Sequence, residues 1–219
     1  MIGVIAVAAY FISITRAPSA PSTDIQNTVP GATQTAEGYI YRISQEESSV
    51  SFEINEILAD EPFTAVGTTN QVAADMVLKT DSESGHQYFD FGTIRVDART
   101  FKTDSTSRDG MIDRAILKAE NPANEFIMYQ VASVGLPDAP ATDVATPFSV
   151  TGDLTISGVT KPVTFTGTFT GNSMKIQGNV SAQIKRSDFG LTIPNVPFVA
   201  SVDDSFVIKA TIVAYHVTS

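Results

Sequence analysis

Apolar and polar residues alternate almost without interruption through residues 148–170, FSVTGDLTISGVTKPVTFTGTFT. The apolar positions fall on one face of two predicted strands, Phe148, Val150, Leu154 and Ile156 in the first and Val163, Phe165 and Phe169 in the second. Ser and Thr occupy most of the opposite face. Parallel strands that are buried on both faces have continuous runs of apolar residues in their sequences. The alternation seen here instead predicts an antiparallel hairpin with one buried face.

The same period recurs along most of the chain from Tyr39 onward. Further predicted strands lie near residues 39–43, 50–54, 75–79, 88–101, 126–134, 174–185 and 206–215. Roughly eight antiparallel strands, each with one apolar face, most simply close into a barrel, because closure removes exposed sheet edges. A β-sandwich is the alternative.

One segment departs from this period. Residues 109–119, DGMIDRAILKA, carry apolar side chains at helical spacing, and Asn121-Pro122 follows as a stop signal. We expect a short amphipathic helix that covers an open end of the barrel.

The N-terminal part of the chain has a different character. Residues 1–17 begin with fifteen residues that carry no charge, which predicts a signal peptide or a membrane anchor. Residues 18–38 are rich in Pro, Ser and Thr and predict a flexible linker, and residues 39–219 form the predicted folded domain. The domain is therefore expected to be exported.

Composition narrows the possible functions. The net charge of −10 argues against a nucleic-acid partner, which would need clustered Lys and Arg. The absence of cysteine excludes disulfides and thiolate metal sites. His86 and His216 are the only histidines and are predicted to be solvated, so we expect no metal site. No G-x-S-x-G nucleophile motif and no phosphate-binding loop occurs, so the sequence does not predict an enzyme.

Two sets of residues admit two interpretations each. Gly152, Gly167 and Gly178 occupy positions that face inward on their predicted strands. They either relieve strain in the barrel or leave room for a guest molecule. Basic residues near strand ends and the helix either meet a polar head group or pair with carboxylates; they are Arg108, Arg114, Lys161, Lys185 and Arg186.

Two long C-terminal motifs carry a resemblance to a known family. VTGDLTISGVTKPVTF at residues 150–165 and AQIKRSDFGL at residues 182–191 resemble the YceI-like family of bacterial lipid-binding proteins. SSVSFEI at residues 48–54 and the Arg108-Asp109 pair are similar to upstream motifs of that family. The sequence departs from the family pattern at residues 55–58 and 110–117, near the expected entrance.

The resemblance implies an all-β, lipocalin-like antiparallel barrel in the bacterial periplasm, with a polyisoprenoid or isoprenoid quinone in its lumen and no other cofactor. The expected ligand contacts are inward apolar side chains: Phe52, Ile54, Ile116, Phe148, Val150, Leu154, Phe165, Phe169, Ile176, Val180 and Ile208.

Two other hypotheses stay open at this point. The domain is alternatively a membrane-tethered accessory subunit of an envelope complex, with a packed barrel and no ligand. An enzyme comes third and is motivated only by Arg108-Asp109. A homodimer is compatible with each hypothesis.

Overall fold

A computed structural model of the chain describes residues 25, 38–83, 85, 87–136, 142–195 and 199–217. All the strands within these ranges belong to one antiparallel sheet. The twelve strands are β1 Gly38–Ile43, β2 Ser49–Leu58, β3 Glu61–Thr69, β4 Val72–Ala73, β5 Asp75–Thr80, β6 Gln87–Phe91, β7 Ile94–Asp97, β8 Phe126–Gly135, β9 Thr146–Ile156, β10 Val159–Gly171, β11 Lys175–Lys185 and β12 Val199–His216.

The pairing registers join these twelve strands into eight longer runs. β1 and β2 both pair with β12, while β1 also pairs with β5 and β2 with β3. β5 pairs with β6 and β4 pairs with β7. Residues 38–58, 61–80 and 87–97 thus form three bent runs, and β8 to β12 form the other five. Each run pairs with the next, and β12 pairs back to the first.

The all-β, lipocalin-like antiparallel barrel predicted from the sequence is therefore confirmed. The sequence analysis predicted β1 and β2 as two strands, treated β6 and β7 as one, and missed β3 and β4. Gly92 interrupts the run 87–97, and its N–H donates to the Asp75 carbonyl at 3.0 Å. Ser48 bridges the break between β1 and β2, because its hydroxyl donates to the Val213 carbonyl at 3.2 Å and accepts from the Val213 N–H at 2.9 Å.

The β9–β10 hairpin has the predicted apolar and polar faces. Leu154 and Ile156 are buried in the interior, whereas the hydroxyls of Thr151 and Thr164 lie 2.9 Å apart on the outside. The turn between the strands is Ser157-Gly158, and both residues have positive φ, as a tight two-residue hairpin requires. Pro162 is tolerated inside β10 because the β11 ladder reaches only Thr166–Gly171.

The helix predicted over residues 109–119 is present but displaced. Helix α1 spans Thr106–Met111, and a π-helical turn continues through Ile112–Ile116. The earlier start follows from Ser105, whose hydroxyl caps the helix by accepting from the Arg108 N–H at 3.4 Å. The earlier end follows from Lys118, which has a φ of 52° and cannot continue a helix.

Two residues of the predicted linker are described, Ile25 and Gly38, and Gly38 begins β1. Ile25 is fully buried, and it packs with Ala73 against the partly buried Phe126. At this point the chain contacts the barrel. Residues 1–17 lie outside the described residues, and none of the helices within the described ranges is long and apolar enough to cross a membrane.

Candidate ligand-binding cavity

The barrel encloses a cavity of about 570 Å³. This volume falls within the range of roughly 300–1,000 Å³ that is typical of small-molecule sites. Its wall is mainly apolar and comes from every run of the barrel and from the α1 segment. All eleven side chains that the sequence predicts as ligand contacts line it: Phe52, Ile54, Ile116, Phe148, Val150, Leu154, Phe165, Phe169, Ile176, Val180 and Ile208. Their contact with a ligand stays a prediction.

Two of the inward glycines lie against aromatic rings of the protein itself. A Cβ atom at Gly152 would lie 3.0 Å from Cζ of Tyr129, and one at Gly178 would lie 3.2 Å from Cζ of Phe148.

Gly152 and Gly167 also allow a close approach of the neighbouring backbone. A Cβ atom would lie 2.3 Å from the Gln130 carbonyl oxygen at Gly152 and 1.8 Å from the Asn179 carbonyl oxygen at Gly167. The space predicted for a guest molecule at the three inward glycines is therefore taken by rings or by backbone of neighbouring strands.

Tyr129 supplies a polar group inside the wall, and that group is satisfied. Its hydroxyl lies 2.9 Å from the carbonyl oxygens of both Val150 and Val163. Burial raises the pKa of Tyr129 to about 12, and the nearby charge of Asp153 acts in the same direction. The phenol is therefore neutral at ordinary pH, and its apolar ring packs edge-on against Phe165, with 5.2 Å between ring centroids.

One end of the cavity is aromatic. Phe169 contacts Phe89 and Phe148 with ring centroids 6.3 and 6.0 Å apart, and Phe89 also contacts Phe91 at 5.9 Å. Near these rings the wall is less continuous, because β8 pairs with β7 and β9 but, among the described residues, has no ladder with β6.

The other end of the cavity carries charge and lies under α1. Arg108 donates through Nη2 to Glu56 Oε1 at 2.9 Å and through Nη1 to Asp104. Its guanidinium also lies over the ring of Phe63, 5.2 Å from the centroid. The Glu56 side chain is only 8% exposed, so this pair is largely removed from water.

Asp109, the neighbour of Arg108, has a separate role. Its Oδ1 accepts from the N–H of Thr103 at 2.6 Å and from the Thr103 hydroxyl at 2.7 Å. This buried carboxylate fixes the loop that precedes α1. The two residues that motivated the enzyme hypothesis therefore face different partners.

The two histidines give no metal site in the described part of the chain. His86 lies outside the described residues. His216 is half-buried rather than solvated as predicted, because its ring packs against Tyr39 and Tyr41 with centroids 5.3 and 5.8 Å apart. No group of three or more His, Asp or Glu side chains within the described ranges could hold a metal ion.

The predicted basic residues separate into cavity and surface positions. Arg108 and Arg186 line the cavity. Arg114 instead pairs with Glu120 at 3.0 Å on the surface. Sequence reasoning missed Glu56 as a lining residue, although it has the same strand phase as Phe52 and Ile54. An inward carboxylate at the end of an apolar face was the available signal.

Comparisons with known proteins agree with this architecture. The YceI-like domain matches residues 41–214 of the chain in sequence. None of the curated proteins matches the chain significantly in sequence.

Several solved structures share the fold. BcnA of Burkholderia cenocepacia has 19% identity and a TM-score of 0.57, over 78% of this chain and 98% of BcnA. A polyisoprenoid binding domain from Saccharophagus degradans, described as implicated in plant cell wall breakdown, has 12% identity and a TM-score of 0.60, over 81% of this chain and 98% of that domain. The YCEI protein of Campylobacter jejuni has 19% identity and a TM-score of 0.50, over 68% and 82%.

Proposed function

This chain belongs to the YceI-like domain family, and from that premise we propose that it binds a long-chain apolar lipid, a polyisoprenoid or isoprenoid quinone, inside the barrel without catalysing a reaction. The observation that carries the proposal is the apolar cavity of about 570 Å³. The polyisoprenoid binding domain with the same fold supports the choice of ligand.

The wall chemistry indicates how the tail would be held. Burial of apolar surface contributes roughly 25 cal/mol per Å² and has no preferred direction. The hydroxyl of Tyr129 is directed to backbone carbonyls of the wall, so it offers no competing polar contact to a tail. We therefore expect the middle of the cavity to select for the length of a chain rather than for its functional groups.

The cellular setting is part of the same proposal. Residues 1–17 would direct export or anchor the protein, which would place the barrel at the extracytoplasmic side of a membrane, where its lipid ligand occurs. Ile25 supports a short connection to that membrane, since it already contacts the barrel at Ala73. A homodimer or a wider envelope complex is compatible with this placement. The alternative of an accessory subunit with a packed barrel is less consistent with a cavity of this size.

A cavity-filling variant tests the proposal. Ala210 lines the cavity, whereas the hydroxyl of the next residue, Thr211, donates to Asn179 on the outer surface. We expect wild-type protein to increase the fluorescence of the neutral apolar reporter N-phenyl-1-naphthylamine, and geranylgeraniol to displace it. Ala210→Phe should weaken both affinities at least ~10-fold, because the new ring occupies the ligand volume.

Thr211→Phe is the matched control, because it adds the same ring on the other face of the same strand. Its affinities should stay within ~2-fold of wild type. Equal affinities for Ala210→Phe and wild type, with both proteins folded by circular dichroism, would contradict binding inside the barrel.

A further inference from the structure

The charged end of the cavity identifies the class of head group. We propose, as an extension that rests on the proposed function, that the site selects an uncharged head group that donates a hydrogen bond, such as an alcohol, and discriminates against phosphates. The pair of Glu56 and Arg108 is the element that sets this selectivity.

Arg108 is the cation that an anionic head group would be expected to use, and it is already engaged. Both terminal nitrogens of its guanidinium donate to carboxylates, one to Glu56 and one to Asp104, and its face lies over Phe63. Its side chain is 20% exposed. The other N–H groups of the guanidinium lie beside these two carboxylates, so a phosphate that reaches them would either face like-charge repulsion or displace a carboxylate.

Displacement of Glu56 would be unfavourable. With an exposed fraction of 8%, its carboxylate would lose its ion pair and remain shielded from water. Buried charges without a partner are strongly destabilising, and an incoming anion beside two carboxylates adds like-charge repulsion.

Arg186, the other cation on the cavity wall, offers no substitute. Its Nε donates to the Asp203 carbonyl at 3.1 Å, and its Nη1 donates to the Leu191 carbonyl at 3.3 Å. Asp204 Oδ1 lies 3.9 Å from the same guanidinium. This arginine thus holds the loop after β11 against β12, and a carboxylate lies beside it.

The same arrangement favours a head group that donates a hydrogen bond. Among the described residues, only Oε1 of Glu56 takes part in a hydrogen bond, while Oε2 has unused acceptor capacity at the cavity wall. A ligand hydroxyl can donate to this oxygen without breaking the ion pair, and hydrogen bonds to an ionised acceptor are among the stronger ones.

The test compares two probes that share one tail. Geranylgeraniol and geranylgeranyl phosphate compete with N-phenyl-1-naphthylamine for the full chain at neutral pH and fixed ionic strength. We expect the alcohol to bind at least ~10-fold more tightly than the phosphate, which corresponds to about 1.4 kcal/mol. Equal or tighter binding of the phosphate would overturn the head-group inference while leaving the proposed function intact.

Glu56→Gln then locates the selectivity. This variant keeps the shape of the side chain but frees one nitrogen of Arg108 from its carboxylate, so the preference for the alcohol should fall at least ~5-fold. Glu53→Gln is the control, because it removes the same charge from the same strand. Glu53 pairs with Lys209 on the outer surface at 2.6 Å, away from the cavity.

An unchanged preference in a folded Glu56→Gln variant would refute the role of this pair. The wild-type comparison stands by itself if that variant does not fold. If neither probe displaced the reporter, the proposed function would be contradicted, and the head-group inference would be contradicted with it.

Discussion

At one end of the cavity Phe89, Phe148 and Phe169 meet through their rings, whereas at the other end Arg108 lies between two carboxylates. The two ends are connected by the same strands. Phe148 and Ile156 lie near opposite ends of β9, about 27 Å apart along an extended strand. The barrel therefore joins a non-directional apolar region to a region where hydrogen-bond geometry is fixed.

This difference indicates that the two ends of the cavity have different roles in binding. Apolar burial in the strand wall supplies affinity without distinguishing among tails, and the α1 end distinguishes among head groups. Four sets of substitutions, ordered by expected effect, test whether the two regions differ as the structure indicates.

The largest effect is expected in the apolar wall. The Phe165 side chain is buried and contacts Tyr129 edge-on, so Phe165→Ala should lower the free energy of unfolding by about 4 kcal/mol. Phe165→Leu keeps most of the apolar volume and should cost about 1 kcal/mol. Urea denaturation measures both values, and an alanine effect below about 1 kcal/mol would show that this wall is not tightly packed.

The α1 end depends on polar contacts instead. Asp109→Ala should cost about 3 kcal/mol, because it leaves the buried N–H of Thr103 without its acceptor and removes the shorter contact of the Thr103 hydroxyl, which keeps only the Ser105 carbonyl at 3.0 Å. Asp109→Asn retains one carbonyl oxygen and should cost roughly half as much. If the two variants were equally stable in urea denaturation, acceptance of these hydrogen bonds would not be the role of Asp109.

Tyr129 tests a polar group that lies within the apolar part of the wall. Tyr129→Phe should cost about 1–2 kcal/mol at neutral pH through loss of the hydrogen bond to the wall. The folded-state pKa of about 12 lies above the usual value near 10, so this stabilisation is complete below pH 10 and is lost as pH rises toward 12.

Alkaline denaturation separates this contribution from that of the other tyrosines. Between those pH values wild type should lose up to about 1.4 kcal/mol per pH unit more than Tyr129→Phe does. Burial also raises the pKa of Tyr41, so the difference between the two proteins is the quantity to measure. Parallel pH profiles would contradict burial of the Tyr129 hydroxyl.

The smallest effects should come from two glutamates of β2. Glu56→Gln removes a shielded ion pair and should cost about 1 kcal/mol, while Glu53→Gln removes an exposed one and should cost less than about 0.5 kcal/mol. Thermal unfolding at low and high salt compares them. If added salt removed the Glu56→Gln effect, this pair would be as exposed to solvent as the outer one.

The apolar wall formed by the strands could be predicted from the sequence, because the alternation that specifies it is a pattern among neighbouring residues. Alternation in residues 148–170 identifies which side chains of β9 and β10 face inward. The structure places all of them on the cavity wall except Val163, which is buried in the core. Alternation could not reveal that the rings of Tyr129 and Phe148 lie over glycines of neighbouring strands, since that depends on register between runs.

The charged end could be predicted less well because its partners are distant in the chain. Glu56 and Arg108 are separated by 52 positions, and no helical or strand period links them. The start of α1 depends on one capping hydroxyl, that of Ser105, which lies outside the apolar pattern used to predict the helix. The structure of this region is determined by contacts between distant residues across the barrel rather than by local propensity.

Native mass spectrometry of the full chain, purified without detergent, tests most directly whether the cavity holds one long-chain lipid. We expect a protein with the added mass of a single apolar lipid, which organic solvent releases, which Thr211→Phe retains and which Ala210→Phe loses. Repeated preparations of folded wild-type protein that show only the mass of the polypeptide would contradict this expectation.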